Sequence, residues 1–336
     1  MKPPLLEVQN LKKYFHTNKG IVHAVDDVSL TLFREETLGV VGESGCGKST
    51  LGRACLRAFE LSGGCLFFHR EGRKQEITTL AKRQMRPWRK HIQLIFQDPY
   101  SSLNPRQSVY QIIEEPLRIH GIEKDPFKRR RKVLELMQLV GLSERFANVY
   151  PHEMDGGRRQ RIVIARALAV GPEFIVCDEP VSALDVSIQA QILSLLQDLQ
   201  EELKLTYLFI THDLAVVRHM SNRIIVMYLG HVVEEAEAEK LFLQPIHPYT
   251  QALLSAIPIP STKQRPQKIV LKGEVGSALN PKAACRFAPR CPLAIEQCHR
   301  ATPELLPING LEGPNGERRV RCWRAGEILS GDIQME

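Results

Sequence analysis

Apolar residues fall in short runs along this chain, and the spacing between them changes from one region to the next. Near the start, "LLEVQNL", "VDDVSLTLF" and "TLGVVGES" have the length and apolar content of strands, the last ending in glycine. From about Gln97 to Gly171 the spacing becomes helical. In "DPFKRRRKVLELMQLVGL", Asp125 is the expected N-cap, Pro126 the first helical residue, and Val133, Leu136, Met137 and Val140 one apolar face. The basic run Lys128–Lys132 then covers the solvated side of that helix, with a contact surface as the alternative. Further on, "FIVCDEP", "TYLFITHD" and "RIIVMYLG" alternate with helical stretches such as "SIQAQILSLLQDLQEEL". Buried strands joined by crossover helices predict an α/β fold with a parallel sheet covered on both faces. After Ile257, "IPIPSTKQRPQK" reads as a polar, proline-rich connector, and the periodicity beyond it is weak. No internal repeat is present.

Length and charge add bounds. The 336 residues have room for about two domains, and 43% hydrophobic residues suffice for a core. The net charge of +7 is compatible with nucleotide, nucleic acid or an anionic membrane surface, and selects none of them. "MKPPLLEVQNLKKYF" lacks the apolar core of a signal peptide, and no run approaches the roughly 18 apolar residues of a spanning helix. A cytoplasmic protein is expected, with clustered cysteines serving as metal ligands in preference to disulfides.

"GESGCGKST", Gly42–Thr50, fits G-x-x-x-x-G-K-[ST] directly after a strand and before a helix. Gly42, Gly45 and Gly47 allow a tight loop whose amides, with those of Ser44 and Cys46, wrap phosphates. Lys48 reaches the outer phosphates, and Ser49, followed by Thr50, offers a hydroxyl to Mg²⁺. "EFIVCDEP" supplies two carboxylates after a buried strand: Asp178 for the Mg²⁺ shell and Glu179 to orient or deprotonate water.

With these motifs the chain resembles the nucleotide-binding subunits of ABC transporters over nearly its full length. The resemblance implies a P-loop NTPase of the ABC type, with a RecA-like core, an antiparallel β subdomain, and a helical subdomain at about 98–170. It places the ATPase domain at 1–256 and a small Cys-rich extension at 257–336. Gln97 in "LIFQDP" resembles the Q-loop glutamine that touches Mg²⁺ and signals to the membrane subunits. "MDGGRRQR" occupies the signature position, Asp185 closes a D-loop, and His212 in "ITHD" resembles the switch histidine at the γ-phosphate. Tyr14 in "LKKYF" stands where the family sets an aromatic ring against adenine, with Phe15 adjacent. "FQDPYSSLNPR" and "PIHPYTQALLSAIP" resemble the oligopeptide, dipeptide and nickel importer branch. There, two ATPase subunits, often nonidentical, pair head to tail beneath two membrane permease subunits, and an extracellular binding protein delivers the solute. Peptide import powered by MgATP, on the inner face of the cell membrane, is the implied function. A soluble ABC-type ATPase acting on nucleic acid or ribosomes is the alternative; one cassette and no sustained heptads argue against it, so no nucleic-acid partner is expected. A catalytically weak half of a heterodimer is a third reading.

That third reading comes from the signature. The family pattern L-S-G-G-Q here reads Met154, Asp155, Gly156, Gly157, Arg158. A carboxylate about 4 Å from a phosphate oxygen would cost on the order of 4 kcal/mol at an effective dielectric near 20. Arg158 restores the charge balance, and its spacing lets Asp155 cap the helix or pair with it. Either the pair reorients and the partner's ATP is still completed, or that composite site is slow.

Cys285, Cys291, Cys298 and Cys322 stand as C-x₅-C-x₆-C-x₂₃-C in the poorly periodic tail. Four thiolates could hold a [4Fe-4S] cluster or zinc, and the wide spacing fits zinc less well. Similar tails in dipeptide-transporter ATPases favour the cluster. His299 is a further candidate ligand, and four free buried thiols are the remaining alternative.

Overall fold

The computed structural model describes residues 2–257, 269–271, 273, 276–313 and 316–335. Its strands, in chain order, are β1 Pro4–Thr17, β2 Gly20–Phe33, β3 Thr37–Val41, β4 Gly63–Arg70, β5 Arg73–Glu76, β6 Ile92–Ile95, β7 Phe174–Asp178, β8 Thr206–Ile210, β9 Arg223–Tyr228, β10 His231–Glu237, β11 Leu306–Gly313 and β12 Gly316–Val320. The chain divides into two compact units.

The first unit comprises Met1–Phe33, Thr37–Thr78 and Ile210–Glu336. It holds an antiparallel sheet in the order β2-β1-β4-β5 and the strand series β11-β12-β10-β9-β3, in which β3 and β9 run parallel. Strands β1 and β2 are each 14 residues long, well beyond the apolar runs that signal them. Register shifts between Val8 and Leu11, and again around Lys13, throw the in–out alternation out of phase, which hides the second half of β1 from a pattern reading. Every residue of β3 is buried, as a strand covered on both faces requires.

The tail is built into the core of this unit. Phe287 packs with Val41, Val226, Tyr228, Val233 and Tyr249, and Cys285 and Cys291 lie against that cluster. Strand β12 pairs with β10, and the buried Arg318 donates to the buried Glu234 at 2.7 Å. The Glu234 carboxylate also accepts from the amides of Ile246 at 3.0 Å and His247 at 2.9 Å, so the "PIHPY" turn is fastened to β10. A buried carboxylate with all these partners is tolerated; stripped of them it would cost several kcal/mol.

The second unit comprises Arg34–Glu36 and Thr79–Phe209, with strands in the order β8-β7-β6 and β6 parallel to β7. Helices Val109–His120, Pro126–Leu139 and Gly156–Leu168 fill the span read as helical. Asp125 accepts from the amides of Phe127 and Lys128, and Val133, Leu136 and Met137 are buried, as the spacing predicts. Strands β4, β5 and β6 carry no comparable signal: β4 is mostly half-buried, and β5 and β6 have four residues each.

Candidate nucleotide site and cysteine cavity

In the first unit, β3 ends at Val41 and the loop Gly42–Gly47 leads into helix Lys48–Cys55. Gly42 has φ +150° and a Cβ there would lie 2.2 Å from the Met227 carbonyl oxygen. Gly47 has φ +109° and its Cβ would lie 2.0 Å from that of Ala24. Both positions are closed to any other residue by backbone conformation and by backbone neighbours. Gly47 caps the helix without a side-chain hydrogen bond, so no side chain of its own competes for the amides at the helix start. Lys48 is buried, and its Nζ donates to the Gly42 carbonyl at 2.7 Å and to the Glu43 carbonyl at 3.0 Å. Both are local bonds that a bound phosphate can replace. Burial pushes the Cys46 thiol up, against the charge of Lys48, 3.9 Å away.

Tyr14 lies on β1, stacked on His23 with ring centroids 4.0 Å apart, and its hydroxyl donates to Asp26. Phe15 is 39% exposed and meets Phe59 edge-on. Burial alone would raise the Asp26 carboxyl; hydrogen bonds from His231, Tyr14 and His23, and the charge of Arg286, outweigh it and hold Asp26 well below the usual carboxylate range. His212 sits exposed between the end of β8 and helix Leu214–Met220, which Asp213 caps through the amides of Ala215 and Val216.

In the second unit, Asp178 closes the fully buried strand β7 and is itself 1% exposed. Glu179 follows in the left-handed region, φ +50°, a strained conformation costing on the order of 1–3 kcal/mol for a residue with a side chain. The structure brings Gln97 to it: the Gln97 carboxamide donates to the Glu179 carboxylate at 3.0 Å. Asp185 is exposed at the start of helix Val186–Leu203 and makes no side-chain cap bond.

Asp155 is the N-cap residue of helix Gly156–Leu168. Its carboxylate accepts from the Arg158 amide at 2.8 Å, an N-cap bond, and pairs with the Arg158 Nε at 3.4 Å. Arg158 also lies over the Phe146 ring, 4.7 Å from its centroid. A Cβ on Gly156 would meet Leu184 at 2.9 Å, and one on Gly157 would meet Ile188 at 2.7 Å, so the turn at Gly156–Gly157 packs directly on the loop before helix Val186–Leu203 and on the helix itself.

The sequence reading missed the residues that tie the segment after Gln97 to this helix. Arg159 is buried over the Tyr100 ring at 3.7 Å and donates to the Pro151 carbonyl at 2.6 Å, while Arg166 donates to the Ser102 carbonyl at 2.6 Å. Two arginines at i and i+7 on one helix, facing "PYSS", are the only signal available beforehand, and it is a weak one.

Cys285, Cys291, Cys298 and Cys322 line one cavity in the first unit, together with His247 and Trp323. Burial pushes the Cys291 thiol up to about 12 and the Cys322 thiol to about 11, so without a metal both are protonated. The expected [4Fe-4S] site is not met as a ready ligand set: among the described residues no three His, Cys, Asp or Glu side chains are placed to hold a metal ion. The donors converge, and closing them on a cluster requires proton loss and movement. The chemistry of the donor set, four soft thiols in one cavity, does fit such a group.

Comparison with known proteins gives the family. Residues 25–182 match the ABC transporter family, and residues 233–298 match the oligopeptide/dipeptide transporter C-terminal region. The oligopeptide transport ATP-binding protein AppF of Bacillus subtilis is 50% identical over 312 residues, covering 89% of this chain and 93% of that protein. A probable peptide ABC transporter ATP-binding protein of Sinorhizobium fredii is 47% identical over 330 residues, 96% and 90% of the two chains. The chain belongs to the ABC transporter ATP-binding family. A bacterial ABC transporter cassette solved as a dimer superposes with a TM-score of 0.63 at 30% identity, covering 70% of this chain and 99% of the cassette. The same scores relate this chain to a dimeric post-hydrolysis cassette bound to ADP and phosphate. The ABC ATPase is therefore an ATP-hydrolysing enzyme with the P-loop fold. No helix among its described residues is long and apolar enough to cross a membrane.

Proposed function

We propose that this ABC ATPase powers the import of peptides, as one of two head-to-tail ATPase subunits on the cytoplasmic face of two permease subunits fed by an extracellular binding protein. The carrying observation is the match of residues 233–298 to the oligopeptide/dipeptide transporter region, in a chain that anchors "PIHPY" on Glu234 and Phe287 in its core. Residues 1–256 act as the ATPase domain, with a helical subdomain at about 98–170, and 257–336 as the extension.

In this reading Lys48 exchanges its bonds to the Gly42 and Glu43 carbonyls for the outer phosphates, and the amides of Ser44, Gly45, Cys46, Gly47 and Thr50 hold the rest. Ser49, Asp178 and Gln97 would hold Mg²⁺, which would supply charge neutralisation of the leaving group. Glu179 orients the attacking water, the Gln97 carboxamide holds that carboxylate, and His212 meets the γ-phosphate. Tyr14, with His23 behind one face of its ring, is the adenine platform. Asp155, Gly156, Gly157 and Arg158 complete the ATP of the second subunit, whose own signature and Asp185-type loop complete this one's. Arg158 supplies the cation and Asp155, engaged as a cap, is kept from repelling the phosphate.

The four cysteines would hold a [4Fe-4S] cluster, a reading supported by the cavity they share. Anaerobically purified protein should carry iron and sulfide, about four of each per chain, and lose both in Cys291→Ser. Stoichiometric zinc would end this reading. The transport function is tested by uptake of labelled di- and oligopeptides in cells lacking this chain. Uptake should fall and return with the wild-type gene but not with Lys48→Ala. Unchanged peptide uptake alongside lost nickel uptake would reassign the solute.

A further inference from the structure

The first residue inside the phosphate loop after Gly42 is an acid, and it is held from a place 247 residues away. Arg290 Nη1 donates to Glu43 Oε2 at 2.9 Å and approaches Oε1 at 3.1 Å. The Arg290 side chain is only 10% exposed and that of Glu43 25%. The Glu43 amide donates to the Tyr249 hydroxyl at 2.9 Å, and Tyr249 packs on Phe287 at 5.5 Å. Arg290 ends the short turn Ala288–Arg290, with its amide donating to the Phe287 carbonyl at 3.0 Å, and immediately precedes Cys291 of the cysteine cavity. One residue after Cys285, Arg286 reaches Asp26 on β2, the acid that also takes the Tyr14 hydroxyl. The extension therefore grips the phosphate loop from a segment whose own place depends on the cysteine-lined core.

This matters because of charge. A loop built to wrap triphosphate carries a partly buried carboxylate, which unpaired would repel the ligand and, in low dielectric, resist desolvation. We propose that Arg290 is a positioning residue for the phosphate loop: by neutralising Glu43 and holding it, the C-terminal extension sets the affinity for ATP. The inference rests on the reading that Gly42–Thr50 binds ATP.

Equilibrium binding of a fluorescent ATP analogue to the purified full chain tests it, beside KM and kcat of the assembled ATPase. Arg290→Ala should weaken binding about tenfold, raising KM by a similar factor with kcat within about twofold, the scale of one unit-charge repulsion across several Å. Arg290→Lys should recover part of the loss. Glu43→Gln should stay within about threefold of wild type, and Glu43→Gln with Arg290→Ala should return to that level, because the unpaired anion is gone. A loss that arose only from a loosened fold would persist in the double variant, and that result, or unchanged binding in Arg290→Ala, overturns the proposal. Lys48→Ala separates the two levels: if it binds ATP as wild type does, the phosphate-loop reading fails; if it loses ATP while Arg290→Ala does not, only the role of Arg290 fails.

Discussion

Two helix starts in this ATPase face the same chemical problem and solve it differently. Helix Lys48–Cys55 begins on Gly47 with no side-chain cap, and the nearest cation, Lys48, is tied to the loop carbonyls of Gly42 and Glu43 and lies 3.9 Å from the Cys46 sulfur. Helix Gly156–Leu168 begins on Asp155, which already takes one of its amides and pairs with its own arginine. The first start leaves its positive end for an incoming anion to cap. The second is self-capped and exposed, with Asp155 59% and Arg158 45% accessible, and offers a cation that must be shared. In the proposed function, a carboxylate in this motif is tolerated because a local donor and a local cation absorb its charge.

The comparison breaks most sharply at the glycines. Gly47→Ala puts a methyl 2.0 Å from a backbone oxygen at φ +109° and should reduce ATP binding at least about a hundredfold by equilibrium titration. Gly156→Ala meets only the end of the Leu184 side chain at 2.9 Å, which can turn aside, so hydrolysis at the partner's site should fall less than about tenfold. Next in size, Arg158→Gln alone leaves Asp155 without its cation and should slow the partner's site about tenfold. Adding Asp155→Ser should restore it to within about threefold, measured in a pair whose other composite site is disabled. A double variant markedly faster than wild type would mean that the present signature is a slow one. Smallest, Asp155→Ala removes the cap and should cost about 1 kcal/mol of stability in denaturant unfolding, with no comparable loss from any side-chain cap at Gly47, where there is none.

Legibility in the sequence followed locality. The phosphate loop, the acidic strand end and the capped helix at Asp125 are each written within a dozen consecutive residues, where spacing and residue type carry the geometry. Asp155 was legible as a cap because its partner is three residues away. The second half of β1, which carries Tyr14, was not, since bulges break the alternation that announces a strand. Arg159 over Tyr100, Glu234 holding "PIHPY", and Arg290 on Glu43 join residues 59, 12–13 and 247 positions apart, and no local period encodes such pairs. The four cysteines were legible as a group and line one cavity, whereas the spacing did not show that, among the described residues, no three donors are placed to hold a metal ion.

The central claim is the proposal that Gly42–Thr50 binds MgATP and that a second ATPase subunit closes over it. The most direct measurement is light scattering of the Glu179→Gln chain mixed with its cognate ATPase subunit, with and without MgATP. The account predicts a pair that forms only with MgATP and is lost when Lys48→Ala is added; no nucleotide-dependent pair, or one indifferent to Lys48→Ala, would contradict it.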